Sequence, residues 1–130
     1  MFPTPERILK YIGRPYEDYN CFDLVKDFYQ DFFSLDLRHY YEGLDVPDRD
    51  QIQSLVVSGI GDFDRSEIPQ FGDLVVINLH GYACHIGVWL PENKLLHTIK
   101  GVGSCIEPVK KYARLLDGYY RHRPLEELKP

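Results

Sequence analysis

Along the chain, the period of apolar and polar positions changes once, and the change divides the chain in two. From Cys21 the apolar residues Phe22, Val25, Phe28, Tyr29, Phe32 and Phe33 recur at spacings of three and four, which predicts an amphipathic helix burying one stripe. Asn20 stands where an N-cap belongs, because a short polar side chain there accepts a hydrogen bond from an otherwise unpaired first-turn N–H. A shorter helix is predicted upstream in PERILKYI, capped at or beside Thr4 and closed by Gly13 and Pro15, with the loop GRPYEDYN joining the two. A further helical pattern, DRDQIQSLVVSGIG, follows Pro47 with acidic residues in its first turn and ends at Gly59 or Gly61.

After the turn-like EIPQFGD the period falls to two. GDLVVINL, CHIGVWL and KLLHTI predict three antiparallel strands, with Pro91, Glu92 and Asn93 as a tight turn between the last two. A helical turn, PVKKYARLL, then precedes a final strand, GYYRHR. With no internal repeat, low-complexity tract or linker, residues 1–130 are expected to form one domain of the α+β class, its N-terminal helices packed on a central antiparallel sheet.

Composition narrows the functions open to such a domain. A formal net charge of -5, and no basic run longer than Lys110-Lys111, offer nothing to a phosphate backbone, so nucleic acid is not an expected partner. No apolar stretch approaches the roughly 20 residues of a membrane span, and MFPTPERILKYIGRP holds no signal-peptide core. Cys21, Cys84 and Cys105 lie far apart with no CxxC pair, against both a disulfide framework and a tetrahedral zinc site. A metal site built from His80, His85, His97 and a cysteine matches no ligand spacing, so no metal and no other cofactor is expected, and Cys84 and Cys105 read as structural thiols. The many tyrosines either line a groove for a polar ligand or lay their rings over the core with their tips in water. His80 reads as an exposed turn residue, and His39 and His122 fall in no pattern.

The candidate chemistry begins at Cys21. A cysteine in the first turn of a helix sits where unpaired N–H groups and the macrodipole favour negative charge, so a thiolate is expected to be stabilised there and the same N–H groups could hold an oxyanion. Strand alternation puts His85, Gly87 and Trp89 on one face of CHIGVWL and Cys84, Ile86, Val88 and Leu90 on the other, so His85 points away from the aliphatic layer. A hairpin turning at Pro91 to Asn93 brings His97 alongside it, where it could accept the far ring N–H of His85 and fix its tautomer. The same residues are also readable as a small buried thiol and an ordinary cross-strand pair, and spacing alone leaves both readings open.

Taken together, IGRPY, NCFDLV, FGDLVVINL, CHIGVWL and LLHTIKG resemble, in order and spacing over most of the chain, the NlpC family of papain-like cell-wall cysteine peptidases. In that family a GxPY loop leads to Asp-Cys-Ser-Gly-Leu-Val, then to Gly-Asp-Leu-Val and His-hydrophobic-Gly strands. The resemblance implies Cys21 as nucleophile, His85 as base and His97 as the orienting third residue, with Tyr16, Asn20, Phe22 and Asp23 beside the substrate. It implies a thioester mechanism on a peptidoglycan stem peptide, at a bond involving D-amino acids such as that from D-glutamate to a diamino acid. Asn20, Phe22 and Asp23 replace the common Asp, Ser and Gly, and this pattern, with the basic strand YYRHRP, is similar to the branch found in tail-tip assembly proteins of long-tailed bacteriophages. That branch implies a virion tail location, other tail-tip proteins as partners, and no need for a signal peptide. A tail module with little or no activity, and an acyl or amide transferase of the same fold, are the alternatives.

Overall fold

The computed structural model describes residues 5–37, 63–79 and 82–123. The predicted helix over 48–61, His39 and His80 lie outside them. Helix α1 spans Pro5–Leu9 and helix α2 spans Cys21–Phe33. The strands are β1 (Phe63–Ser66), β2 (Leu74–Leu79), β3 (Tyr82–Leu90), β4 (Lys94–Ile99), β5 (Gly103–Pro108) and β6 (Leu116–His122), with a 3-10 helix, Val109–Leu115, between the last two. Among the described residues the strands form one antiparallel sheet in the order β1-β6-β2-β3-β4-β5.

Helix α2 forms where the apolar spacing placed it, and both its ends are closed chemically. The Asn20 side chain accepts from the Asp23 N–H at 3.0 Å while the Asp23 carboxylate accepts from the Asn20 N–H at 3.1 Å, a reciprocal capping box. Ser34 turns left-handed at the C-cap, φ 54°; its N–H returns to the Gln30 carbonyl and that of Leu35 to the Tyr29 carbonyl. Helix α1 is shorter than PERILKYI, because the chain turns after Leu9 and reaches left-handed Gly13, φ 84°.

Strand β2 is buried on both faces, which is why LVVI reads as an unbroken apolar run instead of an alternation. Leu74 and Val76 join Ile86, Val88, Leu90 and Leu96 against Phe22, Val25 and Phe28 of α2. Val75 and Ile77 join Leu95 and Val109 on the other face, with Trp89, Tyr112, Leu116 and Tyr119 packed around them. The 3-10 segment thus seals the face that α2 leaves open. Tyr11, Tyr29 and Tyr120 are fully buried, so for these three the ring is part of the core. His122 is buried too, its ring 4.9 Å from that of Phe63.

Strands β1 and β5 were not anticipated. FDRS and GSCIEP are short, lack an apolar alternation, and pair at the two sheet edges, where only one neighbour is needed. The final strand starts at Leu116, two residues before the predicted GYYRHR.

The Gly-Asp pair ahead of β2 fastens helix to sheet. The Gly72 carbonyl accepts the Tyr29 hydroxyl at 2.6 Å, and a Cβ at Gly72 would fall 2.6 Å from a ring carbon of Phe33. Asp73, 3% exposed, takes a forked pair of bonds from Arg121 at 2.9 and 2.8 Å and another from the Gln70 N–H at 2.8 Å. Removing one member of so buried a pair leaves the other uncompensated. Asp73→Ala is therefore expected to destabilise the fold by about 3 kcal/mol, measured by urea unfolding; an unchanged midpoint would remove Asp73 from the list of anchors.

Candidate active site

The loop before α2 is stitched to the far edge of the sheet. Gly13 N–H donates to the Ser104 carbonyl at 2.8 Å and Ser104 N–H to the Arg14 carbonyl at 2.9 Å. Gly103, φ 101°, allows this approach, since a Cβ there would lie 2.6 Å from the Arg14 oxygen. The stitched loop delivers Tyr16 to the wall of an open recess of about 250 Å³ between Gly13–Glu17 and Gly101–Gly103. Burial raises the Tyr16 hydroxyl above its usual range, and the nearby Cys21 and Glu17 add to the rise.

Cys21 opens α2, half-buried, with the backbones of Ile86, of Phe22 and of Cys21 itself bonded to its sulfur. The thiol therefore lies against β3 at the residue after His85. Those amide bonds favour a thiolate, as does the helix terminus, yet burial outweighs them and pushes the thiol up to about 11. The expected low-pKa thiolate is corrected on this point: Cys21 rests as a neutral thiol because desolvation of its charged form costs more than the amides return.

His85 and His97 come together as the hairpin reading required. His85 Nε2 lies 2.8 Å from His97 Nδ1, and His97 Nε2 lies 2.7 Å from Glu107 Oε1. Gly87 makes this possible: a Cβ there would sit 2.8 Å from the His97 Cβ and 2.8 Å from the Leu96 carbonyl oxygen. A register shift between Ile77 and Asn78 puts a bulge in β3 next to His85, the kind of irregularity that re-aims a side chain.

Glu107, on β5, is the residue that sequence reasoning missed. Burial works against its charge, but bonds from Lys111, Tyr112 and His97 outweigh burial and hold it down to about 2. Tyr112 donates at 2.6 Å to the oxygen that also faces His97. Both imidazoles are kept neutral: burial, then the neighbouring His97, pushes His85 down to about 3, and burial lowers His97 against the pull of Glu107. The proton positions follow. A carboxylate only accepts, so His97 carries its proton on Nε2 and presents Nδ1 as acceptor. His85 must then donate from Nε2, which leaves its Nδ1 lone pair free to take a proton.

The other substrate-side residues are placed differently. Phe22 is 3% exposed and belongs to the core, so its side chain does not line a groove. Asn20 and Asp23 are engaged with each other as the cap described above. Of that set only Tyr16 lines the recess. His97, Cys105 and Glu107 form a cluster of metal-ligand type, which the sequence spacing did not suggest.

Because a neutral thiol reacts only through its small thiolate fraction, alkylation of Cys21 is expected to accelerate by about tenfold per pH unit between pH 7 and 10. Peptide mapping after iodoacetamide pulses reads the rate at Cys21 alone; a rate already level below pH 7 would mean a preformed ion pair.

No family model and no curated protein matches the chain. Solved structures do. The NlpC/p60 domain of the peptidoglycan hydrolase SagA superposes with a TM-score of 0.57 at 20% identity, over 88% of this chain and 92% of that one. A lipoprotein-like protein of the NLP/P60 family from Staphylococcus aureus superposes with a TM-score of 0.58 at 18% identity, over 93% of this chain but 43% of its own. The chain thus has the α+β fold of the NlpC/p60 domains, helices packed on a six-stranded antiparallel sheet.

Proposed function

We propose that this chain is a peptidoglycan hydrolase, a cysteine endopeptidase cutting stem peptides. The observation that carries the reading is the unbroken hydrogen-bonded line from His85 through His97 to Glu107, with the residue after His85 lying against the thiol at the start of α2. Its fold is shared with a domain of a peptidoglycan hydrolase. In this reading His85 Nδ1 takes the Cys21 proton as sulfur attacks the carbonyl, and the resulting imidazolium donates from Nε2 to His97. His97 in turn donates to the Glu107 carboxylate, which stabilises the charge without taking the proton. The imidazolium then gives its proton to the leaving amine, and water, deprotonated by His85, opens the thioester. Tyr16 positions substrate in the recess.

The test is release of amines from purified peptidoglycan. Wild type is expected to release them, Cys21→Ala and His85→Ala not. Glu107→Gln, which keeps an acceptor but loses the charge, should lower kcat with KM unchanged, by less than the roughly 10⁴-fold seen when the direct partner of a catalytic imidazole is neutralised. Mass spectrometry of the fragments names the bond. Folded wild type that releases nothing sinks the hydrolase reading.

The same proposal places the chain in a bacteriophage tail, acting on the host wall beside other tail-tip proteins. Its support is the triplet Asn20, Phe22 and Asp23 around the cysteine, in which Phe22 serves the core and the other two serve the cap. Antibody against the chain should decorate tail tips of purified particles; particles without it would remove the tail location and leave the hydrolase untouched. A structural tail module is favoured by one observation, the raised thiol of Cys21. On that reading Cys21→Ser particles would infect as wild type does.

A further inference from the structure

The mechanism leaves the Cys105 thiol unused. Cys105 faces His97 directly across β4 and β5, and Glu107 follows it by two residues, hence on the same face of β5. The ligand atoms of His97, Cys105 and Glu107 all lie within 4.8 Å of one another, in a half-buried setting at the sheet edge. One nitrogen, one sulfur and one carboxylate oxygen form a donor set for a borderline-soft divalent ion such as zinc; magnesium and calcium ask for oxygen alone.

We propose that His97, Cys105 and Glu107 bind a zinc-like ion, and that the ion switches the catalytic base off by reversing the tautomers of both histidines. Ligands about a tetrahedral zinc stand roughly 3.3–3.8 Å apart. The 2.7 Å between His97 Nε2 and Glu107 Oε1 must open by about half an ångström, while Cys105 closes in by side-chain rotation. Three protein ligands leave a fourth position to water. The thiolate and the carboxylate balance the ion's charge, and Lys111, whose side chain is 59% exposed, swings from Glu107 into solvent. Tyr112 can stay on Glu107 Oε1, whose second lone pair is open to the metal.

The switch follows from where protons can sit. The ion takes the His97 Nε2 lone pair, so that nitrogen gives its proton to solvent. The proton on His85 Nε2 passes along the 2.8 Å bond to His97 Nδ1, and His85 Nδ1 takes up a proton from solvent. Cys105 loses its thiol proton, so one proton is released in all. His85 then presents N–H toward the nucleophile in place of a lone pair, and cannot act as base. The inhibition rests on the role given to His85 above; the binding of the ion does not.

Titrating the full-length protein with cobalt(II) and following the thiolate-to-cobalt charge-transfer absorption separates the two. Wild type and Cys21→Ala are expected to develop the band, and Cys105→Ser and Cys105→Ala to lose it, with affinity down by more than about tenfold. In the peptidoglycan assay zinc should inhibit wild type at ion concentrations that occupy the site, while Cys105→Ser keeps its basal activity and resists zinc. Loss of the band in Cys21→Ala would place the ion on the catalytic thiol and overturn the proposal, as would a wild type with no band. Zinc inhibition undiminished in Cys105→Ser would overturn the switch. If wild type hydrolyses nothing, the functional reading falls while the cobalt titration still decides the site.

Discussion

Strands β3 and β4 approach closely at Gly87, and everything the candidate site can do depends on that approach. A methyl group at this position would strike the His97 Cβ, the Leu95 side chain and the Leu96 carbonyl. Its absence sets His97 close enough to His85 for the two rings to share a hydrogen bond, and the same register points the far edge of His97 at Glu107. The line of donors and acceptors is then directional, because its last member is a carboxylate that can only accept. A single missing side chain in the middle of the sheet thereby determines the proton state of a ring two residues away.

Burial and charge oppose each other in this site, and burial wins at Cys21, His85 and His97. Cys21 has the helix terminus and neighbouring amides in its favour and still rests as a thiol. The two histidines stay neutral even with a carboxylate at the end of their chain. Glu107, at the sheet edge with three donors on it, keeps its charge. The carboxylate at the far end is thus paired with Lys111, while the two rings between it and the thiol stay neutral.

The scaffold around these groups is held by polar anchors as well as apolar layers. Asp73 and Arg121 tie the entry of β2 to β6, Tyr29 ties α2 to the Gly72 carbonyl, and the Gly13–Ser104–Arg14 bonds tie the loop before Cys21 to β5. The last of these brings the loop before Cys21 and the strand bearing Glu107 into one unit, although 90 residues separate Arg14 from Ser104.

By itself the sequence determined the local elements with a strong apolar pattern: helix α2 with its Asn20 cap, the strands β2, β3 and β4, and the hairpin that sets His97 beside His85. These are legible because period and capping act over a few residues, which any window of sequence contains. The edge strands β1 and β5 were not legible, since an edge needs one partner and no apolar alternation, and with β5 went Glu107 and the role of Cys105. Tertiary structure also decided that the Cys21 thiolate is disfavoured, a consequence of what packs over it from elsewhere in the chain, whereas the burial of Phe22 was already in the helical spacing. Desolvation is a property of the whole surrounding volume, so no spacing of residues along the chain encodes it.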